Sequence, residues 1–364
     1  MYKRENTRKI QVGGVNIGGG SPVAVQSMCN TRTSDVEATV RQILTLEEAG
    51  CDIIRVAVPD MDAAKAVREI KKQIHIPLVA DIHFDYRLAI ESINSGADKI
   101  RINPGNIGSP DRVRAVVNAA RERHIPIRIG VNGGSLEKEI LNEFGRPCAE
   151  ALVKSVLGHV ELLEKLNFYD ICLSVKSSSV SETVQAYRLL SEKTDCPLHL
   201  GLTEAGTVKS GTIKSSAALG ILLNDGIGDT IRVSLTGDPA EEVEVACELL
   251  SALGLGQKKL INFVSCPTCG RTRIDLIGLA SMIEAGLRAA ERRGEIKNPI
   301  KVAVMGCAVN GPGEASDADI GLAGGDGCVL LFEKGNIVGK ISGDDSGVAE
   351  QFVKRVIKLS GRDA

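Results

Sequence analysis

The chain has 364 residues, with 44 Lys and Arg against 46 Asp and Glu, so it is long enough for two domains and nearly neutral. That balance removes the bulk electrostatic case for nucleic acid, and an aromatic content of 3% without tryptophan removes base-stacking platforms. No apolar run reaches membrane-spanning length and the opening MYKRENTRKI lacks the apolar core of a signal peptide, so a cytoplasmic protein is expected. Its ten cysteines should then stay reduced. Six of them (Cys29, Cys51, Cys148, Cys172, Cys196 and Cys247) stand singly among apolar neighbours, mostly as small core residues.

The first patterned stretch, KIQVGGVNIGGG, could suggest a phosphate-binding glycine loop. No strand precedes its glycines and no helix follows them, so a β-hairpin about Gly13-Gly14 is predicted instead. Short β-branched runs then alternate with amphipathic helical segments. The runs are VAVQSM (23–28), DIIRVAV (52–58), PLVADI (77–82), KIRINPG (99–105), PIRIGVN (126–132), DICLSVKS (170–177), LHLGLTE (198–204) and TIRVSLTG (230–237). Helices stop at glycine just before a strand, as in EEAGCDIIRV and DGIGDTIRV. Eight strand–helix units predict an α/β fold, a (β/α)8 TIM barrel over residues 1–254. A doubly wound sheet is the alternative, but no G-x-G-x-x-G opens a helix. GLGQKK (254–259) reads as a linker, and residues 260–364 as a smaller α/β domain. That domain is expected to hold INFVSCPTC, a long helix (275–293), the strand IKVAVMG (300–306), Gly-rich turns, a strand pair CVLLFEK and IVGKIS, and a terminal helix.

Four barrel strands carry an arginine between β-branched residues: Arg55, Arg101, Arg128 and Arg232. Side chains alternate faces along a strand, so with Ile100 and Ile102 toward the helices, Arg101 and Asn103 point into the barrel. The same parity places Asp81, His83, Asn132, Ser174, Lys176 and Ser234 inside. Each arginine could simply pair with a carboxylate and plug the barrel. With Lys176 there are five cations, however, and Asp81 is the one clear inward acid. An unpaired buried cation costs several kcal/mol, so an anionic ligand is expected near the C-terminal strand ends, where barrel enzymes place their sites. Arginine forks suit phosphate oxygens, and a diphosphate would use such a ring well. Glu204 breaks the alternation and is placed in a loop past the seventh strand, where a solvated carboxylate is the plain reading.

CPTCGR supplies half of a metal knuckle, Cys266 and Cys269. Zinc would need four strong donors, and only Cys307, in MGCAVNGPGE, clearly sits in a turn able to join them. Cys328 opens an apolar run, CVLLF, where a buried thiol is expected. An iron–sulfur cluster on thiolates with one weaker ligand is the other reading. Glu314, beyond the Gly311-Pro312-Gly313 turn, is the candidate for that displaceable corner. The spacing favours Cys266, Cys269, Cys307 and Glu314 as [4Fe-4S] ligands over zinc.

Together QSM, VADIHF, KIRINPGN, RIGVN, SVKSS, GLTEAG, RVSLTGDP, SCPTCGR and MGCAVNGPGEA resemble the 4-hydroxy-3-methylbut-2-enyl diphosphate synthase family over essentially the whole chain. These are the iron–sulfur enzymes of the non-mevalonate (MEP) isoprenoid pathway, here in the two-domain bacterial form. The resemblance implies a dihydropteroate-synthase-like barrel followed by an iron–sulfur domain with one [4Fe-4S] cluster per subunit. It implies reductive opening and dehydration of 2-C-methyl-D-erythritol 2,4-cyclodiphosphate, with electrons arriving singly from reduced flavodoxin or ferredoxin. It also implies Glu314 as the fourth ligand and Glu204 as a proton donor near the leaving hydroxyl. Arg55, Arg101, Arg128, Lys176 and Arg232, with Asn103, Asn132 and Ser234, hold the diphosphate in this picture, and Asp81 and His83 orient cations or substrate. Family members are homodimers in which one subunit's cluster domain covers the other's barrel. A zinc-stapled phosphate-binding transferase barrel and a zinc-knuckle binding module are the rivals, and both would be colourless proteins.

Overall fold

The computed structural model describes residues 4–256, 260–308, 313, 315–325 and 328–361. The chain divides into two compact units, Met1–Gly256 and Gln257–Ala364.

The first unit opens with an antiparallel hairpin, β1 (Ile10–Val12) and β2 (Val15–Ile17), with Val12 opposite Val15. The two-residue loop that this pairing leaves needs a left-handed backbone, which Gly13 supplies at φ +53°. Strands and helices then alternate: β3 (Ala24–Met28), α1 (Val36–Glu48), β4 (Ile53–Ala57), α2 (Met61–Lys71), β5 (Leu78–Asp81) and α3 (Tyr86–Asn94). Next come β6 (Lys99–Ile102), α4 (Pro104–Ile107), α5 (Pro110–Glu122), β7 (Ile127–Asn132), α6 (Lys138–Phe144) and α7 (Ala149–Glu164). The unit ends with β8 (Ile171–Lys176), α8 (Val180–Ser191), β9 (His199–Leu200), α9 (Val208–Asn224), β10 (Thr230–Ile231) and α10 (Pro239–Ala252). Aspartates set several helix starts. Asp35, Asp60 and Asp238 each accept a backbone N–H from the first turn of the helix they precede.

The strands are parallel in the order β8-β7-β6-β5-β4-β3-β10-β9, and a bridge between Leu173 and Leu198 joins β8 to β9. This is the expected eight-stranded TIM barrel. Outward residues such as Ile54, Val56, Ile100, Ile102, Ile129 and Val131 are buried against the helices in one continuous core, each contributing about 1.5–3 kcal/mol by burial. Inward residues near the strand starts, Ala24, Ile53, Val79 and Cys172, pack with Ile10, Val12 and Ile17 of the hairpin. The hairpin thus closes the barrel floor with apolar side chains.

Two local expectations are corrected. The run KIRINPG ends as strand at Ile102, because Asn103 caps α4 with Oδ1 accepting from Gly105 N–H at 3.0 Å. β9 and β10 are two residues each, shorter than the β-branched runs suggested. As expected of most of the single cysteines, Cys29, Cys51, Cys172 and Cys196 are buried, Cys172 facing the barrel interior, while Cys148 and Cys247 are half-buried.

The second unit contains β11 (Ile261–Ser265), α11 (Leu276–Arg292), β12 (Ile300–Met305), β13 (Ile320–Gly324), β14 (Val329–Glu333), β15 (Asn336–Ile341) and α12 (Asp345–Ser360). The sheet runs β11-β12-β13-β14-β15, parallel through β13 and antiparallel after it. Residues 320–324 form a fully buried inner strand, not among the elements expected of this domain. The glycines there serve close packing: a Cβ on Gly321 would meet Phe332 Cζ at 2.2 Å.

Candidate functional site

The inward parity predicted for β5, β6, β7 and β8 is present and brings the expected cations together. Asp81, at the end of β5, accepts from Arg55 Nη2 at 2.6 Å and from Arg101 Nη1 at 3.2 Å. Burial alone would raise the Asp81 carboxyl. The Arg55 charge, a hydrogen bond from His83 and the Arg101 charge instead hold it well below the usual carboxylate range. Arg101 lies across Gly130, where a Cβ would sit 2.7 Å from its Nε, and its Nη2 donates to Gly130 O at 3.3 Å. Lys176 likewise lies over Gly201, whose Cβ would come within 2.7 Å of Nζ. Two glycines therefore make the room that two cations occupy. Lys176 makes no ion pair among the described residues; burial and the charges of Arg128, Arg232, Arg55 and Arg101 push its ammonium well below the ordinary lysine value.

Above these groups is a cavity of about 620 Å³ at the C-terminal strand ends, lined by His83, Arg101, Asn103, Asn132, Arg146 and Glu204 among others. Glu204 is exposed, in the loop after β9 as expected, with its backbone in the left-handed region at φ +54°. Such a conformation in a non-glycine residue costs of order 1 kcal/mol or more and is common where a side chain must be aimed. A larger groove of about 1250 Å³ lies against Arg8, Glu164 and Asp195, away from the strand C-termini. Arg8 is already paired there, at 3.0 Å to Glu164 and 2.8 Å to Asp195, so the groove offers less to an anion than the barrel does.

Not every expected position holds. His83 was placed inside, but alternation ends with β5 at Asp81; the imidazole stands at the rim, 58% exposed, with Nε2 3.3 Å from Asp81 Oδ2. Arg128 was expected toward the C-terminal end of its strand. It is the second residue of β7, level with Cys172 and fully enclosed, because the strand runs on to Asn132. Ser234 is half-buried beyond β10 and does not line the cavity.

Asp81 is also not the single inward acid. Glu242, in the first turn of α10, is 5% exposed and its Oε2 lies 3.5 Å from Arg232 Nη2, while Oε1 accepts from Leu235 N–H at 2.9 Å. Strand parity could not find a carboxylate supplied by a helix. A sixth interior cation, Lys99, was missed although it shares the parity of Arg101. Six cations thus share two carboxylates among the described residues, which strengthens the expectation of an anionic ligand.

In the second unit Cys266 directly follows β11 and Cys307 follows the adjacent parallel strand β12. Gly306 N–H donates to Cys266 Sγ at 3.1 Å, and Arg273 N–H donates to Gly306 O at 3.0 Å. These bonds tie the CPTC turn to the end of β12. Cys269 is exposed, its N–H donating to Thr272 Oγ1 at 3.1 Å. Among the described residues no three His, Cys, Asp or Glu side chains are gathered closely enough to hold a metal, and Glu314 lies outside those residues. The donors fit a thiophilic iron–sulfur group: three thiols near two neighbouring strand ends, one sulfur already accepting a backbone N–H. Cys328 precedes β14 and is half-buried.

Residues 7–247 match the family described as the GcpE TIM-barrel domain, and residues 262–358 the GcpE protein C-terminal domain. The chain is 60% identical over 356 residues to a 4-hydroxy-3-methylbut-2-en-1-yl diphosphate synthase (flavodoxin) of Caldanaerobacter subterraneus subsp. tengcongensis, covering 98% of each chain. Proteins with the same name from Ruminiclostridium cellulolyticum and Clostridium perfringens are 58% and 57% identical, over 98% and 96% of this chain and 99% and 98% of theirs. Among solved structures, a Yersinia pestis dihydropteroate synthase aligns with 68% of this chain and 98% of its own at 15% identity and a TM-score of 0.49. Among the described residues no helix is long and apolar enough to cross a membrane.

Proposed function

The chain belongs to the GcpE family of 4-hydroxy-3-methylbut-2-en-1-yl diphosphate synthases, and from that premise we propose how its residues divide the work. The enzyme reductively opens and dehydrates 2-C-methyl-D-erythritol 2,4-cyclodiphosphate to (E)-4-hydroxy-3-methylbut-2-enyl diphosphate in the MEP isoprenoid pathway. Two electrons enter, water leaves, and flavodoxin is the electron donor. GcpE-family enzymes are iron–sulfur proteins.

The observation that carries the site reading is the excess of enclosed cations over carboxylates inside the barrel. Arg55, Arg101, Arg128, Lys176 and Arg232 grip the diphosphate, the guanidinium forks near the mouth by charge-assisted hydrogen bonds and Arg128 from beneath. Asn103 and Asn132 complete the polar lining. Because these groups are fixed by Asp81, Glu242, Gly130 and Gly201 before the ligand arrives, little reorganisation is needed as negative charge builds on the departing ring oxygen. His83, on the rim and hydrogen-bonded to Asp81, orients the substrate beside Arg101. Glu204 reaches the cavity from its strained loop and delivers the proton that lets the hydroxyl leave as water.

Cys266, Cys269, Cys307 and Glu314 would hold one [4Fe-4S] cluster per subunit, which would supply single electrons to the reaction, with Glu314 as its weaker, displaceable ligand. Gly306 N–H, bonded to Cys266 Sγ, tunes that thiolate. The working assembly is a homodimer in which the cluster unit of one subunit covers the barrel of the other, excluding water and oxygen. Its thiolates belong in the reducing cytoplasm, and ferredoxin is an alternative donor with the same one-electron chemistry.

Anaerobic purification tests this reading. The protein is expected to be brown, with broad absorbance near about 400 nm, and to carry about four irons per chain. Cys307→Ser should lose most of that iron while its barrel still binds inorganic pyrophosphate. Colourless wild-type protein with zinc, inactive on the cyclic diphosphate after iron and sulfide reconstitution, would overturn it.

A further inference from the structure

The lower part of the barrel interior holds buried polar atoms without hydrogen-bond partners, and apart from those of Arg128 the diphosphate reading leaves them unused. Lys99, which opens β6, is fully buried and its Nζ has no hydrogen-bond partner. The same is true of Nε and Nη1 of Arg128, Nε2 of His199 and the side-chain amide of Gln26. Ile53 and Val79, with the hairpin residues Ile10, Val12 and Ile17, close the floor. Arg101 stands over Lys99 toward the mouth, two residues along the same strand. Lys99 is fully buried and does not line the cavity at the mouth.

The groups around Lys99 offer it no compensating charge. Arg55 from β4 and Arg128 from β7 are like charges. Asp81 from β5 is engaged by Arg55, Arg101 and His83. Cys172 from β8 is kept a neutral thiol by burial, which outweighs the attraction of Lys99 and Arg128. His199 from β9 is kept neutral by burial and by the charges of Arg128, Lys176, Lys99 and Arg55, with Nδ1 3 Å or less (2.7 Å) from Thr230 Oγ1.

We infer that Lys99 is a positioning residue for anion binding: from beneath Arg128 it adds a buried positive charge to the field that holds the diphosphate. The inference rests on the diphosphate reading of the ring above it. In the empty barrel, burial pushes the Lys99 ammonium down to about 8, with Cys172 opposing and Arg128 and Arg55 reinforcing the shift. An anion seated above reverses part of that pressure. No bond is made or broken; near neutrality Lys99 already carries its charge, and above about pH 8 anion binding draws a proton from solvent to Nζ.

Anaerobic calorimetry of inorganic pyrophosphate binding to the full, iron-loaded protein tests this across about pH 6.5–9.5. The proteins compared are wild type, Lys99→Met, Lys99→Arg and Arg101→Met. Lys99→Met is expected to bind about tenfold more weakly at pH 7, the order of size of one unit charge acting through protein. Wild-type affinity should fall relative to Lys99→Arg as pH passes about 8, since arginine keeps its charge. Pyrophosphate's own titration is common to all four and cancels in that ratio. Wild-type affinity and pH profile in Lys99→Met would overturn the inference, and loss of binding in Arg101→Met would then leave the diphosphate site standing. Undiminished binding in Arg101→Met would instead sink the site reading itself. If Lys99→Met does not fold, the Lys99→Arg profile decides: a wild-type fall above pH 8 there rules Lys99 out.

Discussion

Asp81 Oδ2 and Arg55 Nη2 meet at 2.6 Å across the β4–β5 pair, with the aspartate 1% and the arginine 12% exposed. Arg101 holds the other oxygen, so a single carboxylate fixes two guanidiniums on adjacent strands. Asp81→Asn leaves both without their counter-charge and should cost about 3 kcal/mol of stability at pH 7. Because the Asp81 carboxyl is held below its unfolded value, its contribution is present above about pH 4 and lost as pH falls through the folded pKa. Urea denaturation should therefore show a gap between variant and wild type that is constant near neutrality and narrows in acid. Pyrophosphate should also raise the Tm of the variant more than that of wild type.

Glu242 ties three places together: Arg232 at 3.5 Å, Leu235 N–H at 2.9 Å and Ser27 Oγ at 3.4 Å. Glu242→Gln keeps an acceptor for Leu235 but removes the charge facing Arg232. A loss of about 1–3 kcal/mol is expected, with KM for the cyclic diphosphate raised several-fold and kcat little changed. Steady-state kinetics with a chemical reductant reads both constants, and an unchanged KM would show that Arg232 does not depend on this pair.

Much of the barrel was legible because eight β-branched runs and their glycine stops repeat, and because Ile-Arg-Ile fixes which face is inward. Parity found Asp81, Arg101 and Lys176, and it could equally have found Lys99, whose side chain lies on the same face of β6. It failed where the strand stopped, at His83, and where depth rather than facing mattered, at Arg128. Glu242 was illegible because its position depends on how α10 packs against β3 and the segment after β10, a tertiary relation. In the second unit the strand at 320–324 was not foreseen, because its glycines answer to tertiary neighbours: a Cβ would meet Phe332 at Gly321 and the Gly306 carbonyl at Gly324.

Lys99 should be a liability for the empty fold. Its pKa of about 8 lies below its unfolded value, so the unfolded chain binds more protons between roughly pH 8 and 10.4 and stability rises with pH across that window. Below pH 8 the full penalty applies, about 3 kcal/mol at 1.36 kcal/mol per unit. Lys99→Met is therefore expected to be more stable than wild type at pH 7 without ligand, by an amount that shrinks toward pH 10. Chemical denaturation at the two pH values checks the sign. A variant less stable at both would mean that Lys99 makes a contact worth more than its desolvation.

Glu204 sits at φ +54° on the cavity wall. Glu204→Gln preserves its shape and hydrogen-bonding reach while removing the transferable proton. A drop in kcat of about 10²–10⁴ is expected, with pyrophosphate affinity unchanged. Equal losses in kcat and in pyrophosphate binding would assign Glu204 to binding rather than proton delivery.

The central claim is that the enclosed cations of the barrel hold the substrate's phosphates. An anaerobic crystal structure with the cyclic diphosphate bound measures this most directly. Phosphate oxygens within hydrogen-bond distance of Arg101, Lys176 and Arg232 are the expected result. A diphosphate bound instead in the outer groove near Arg8, with the interior side chains untouched, would contradict it.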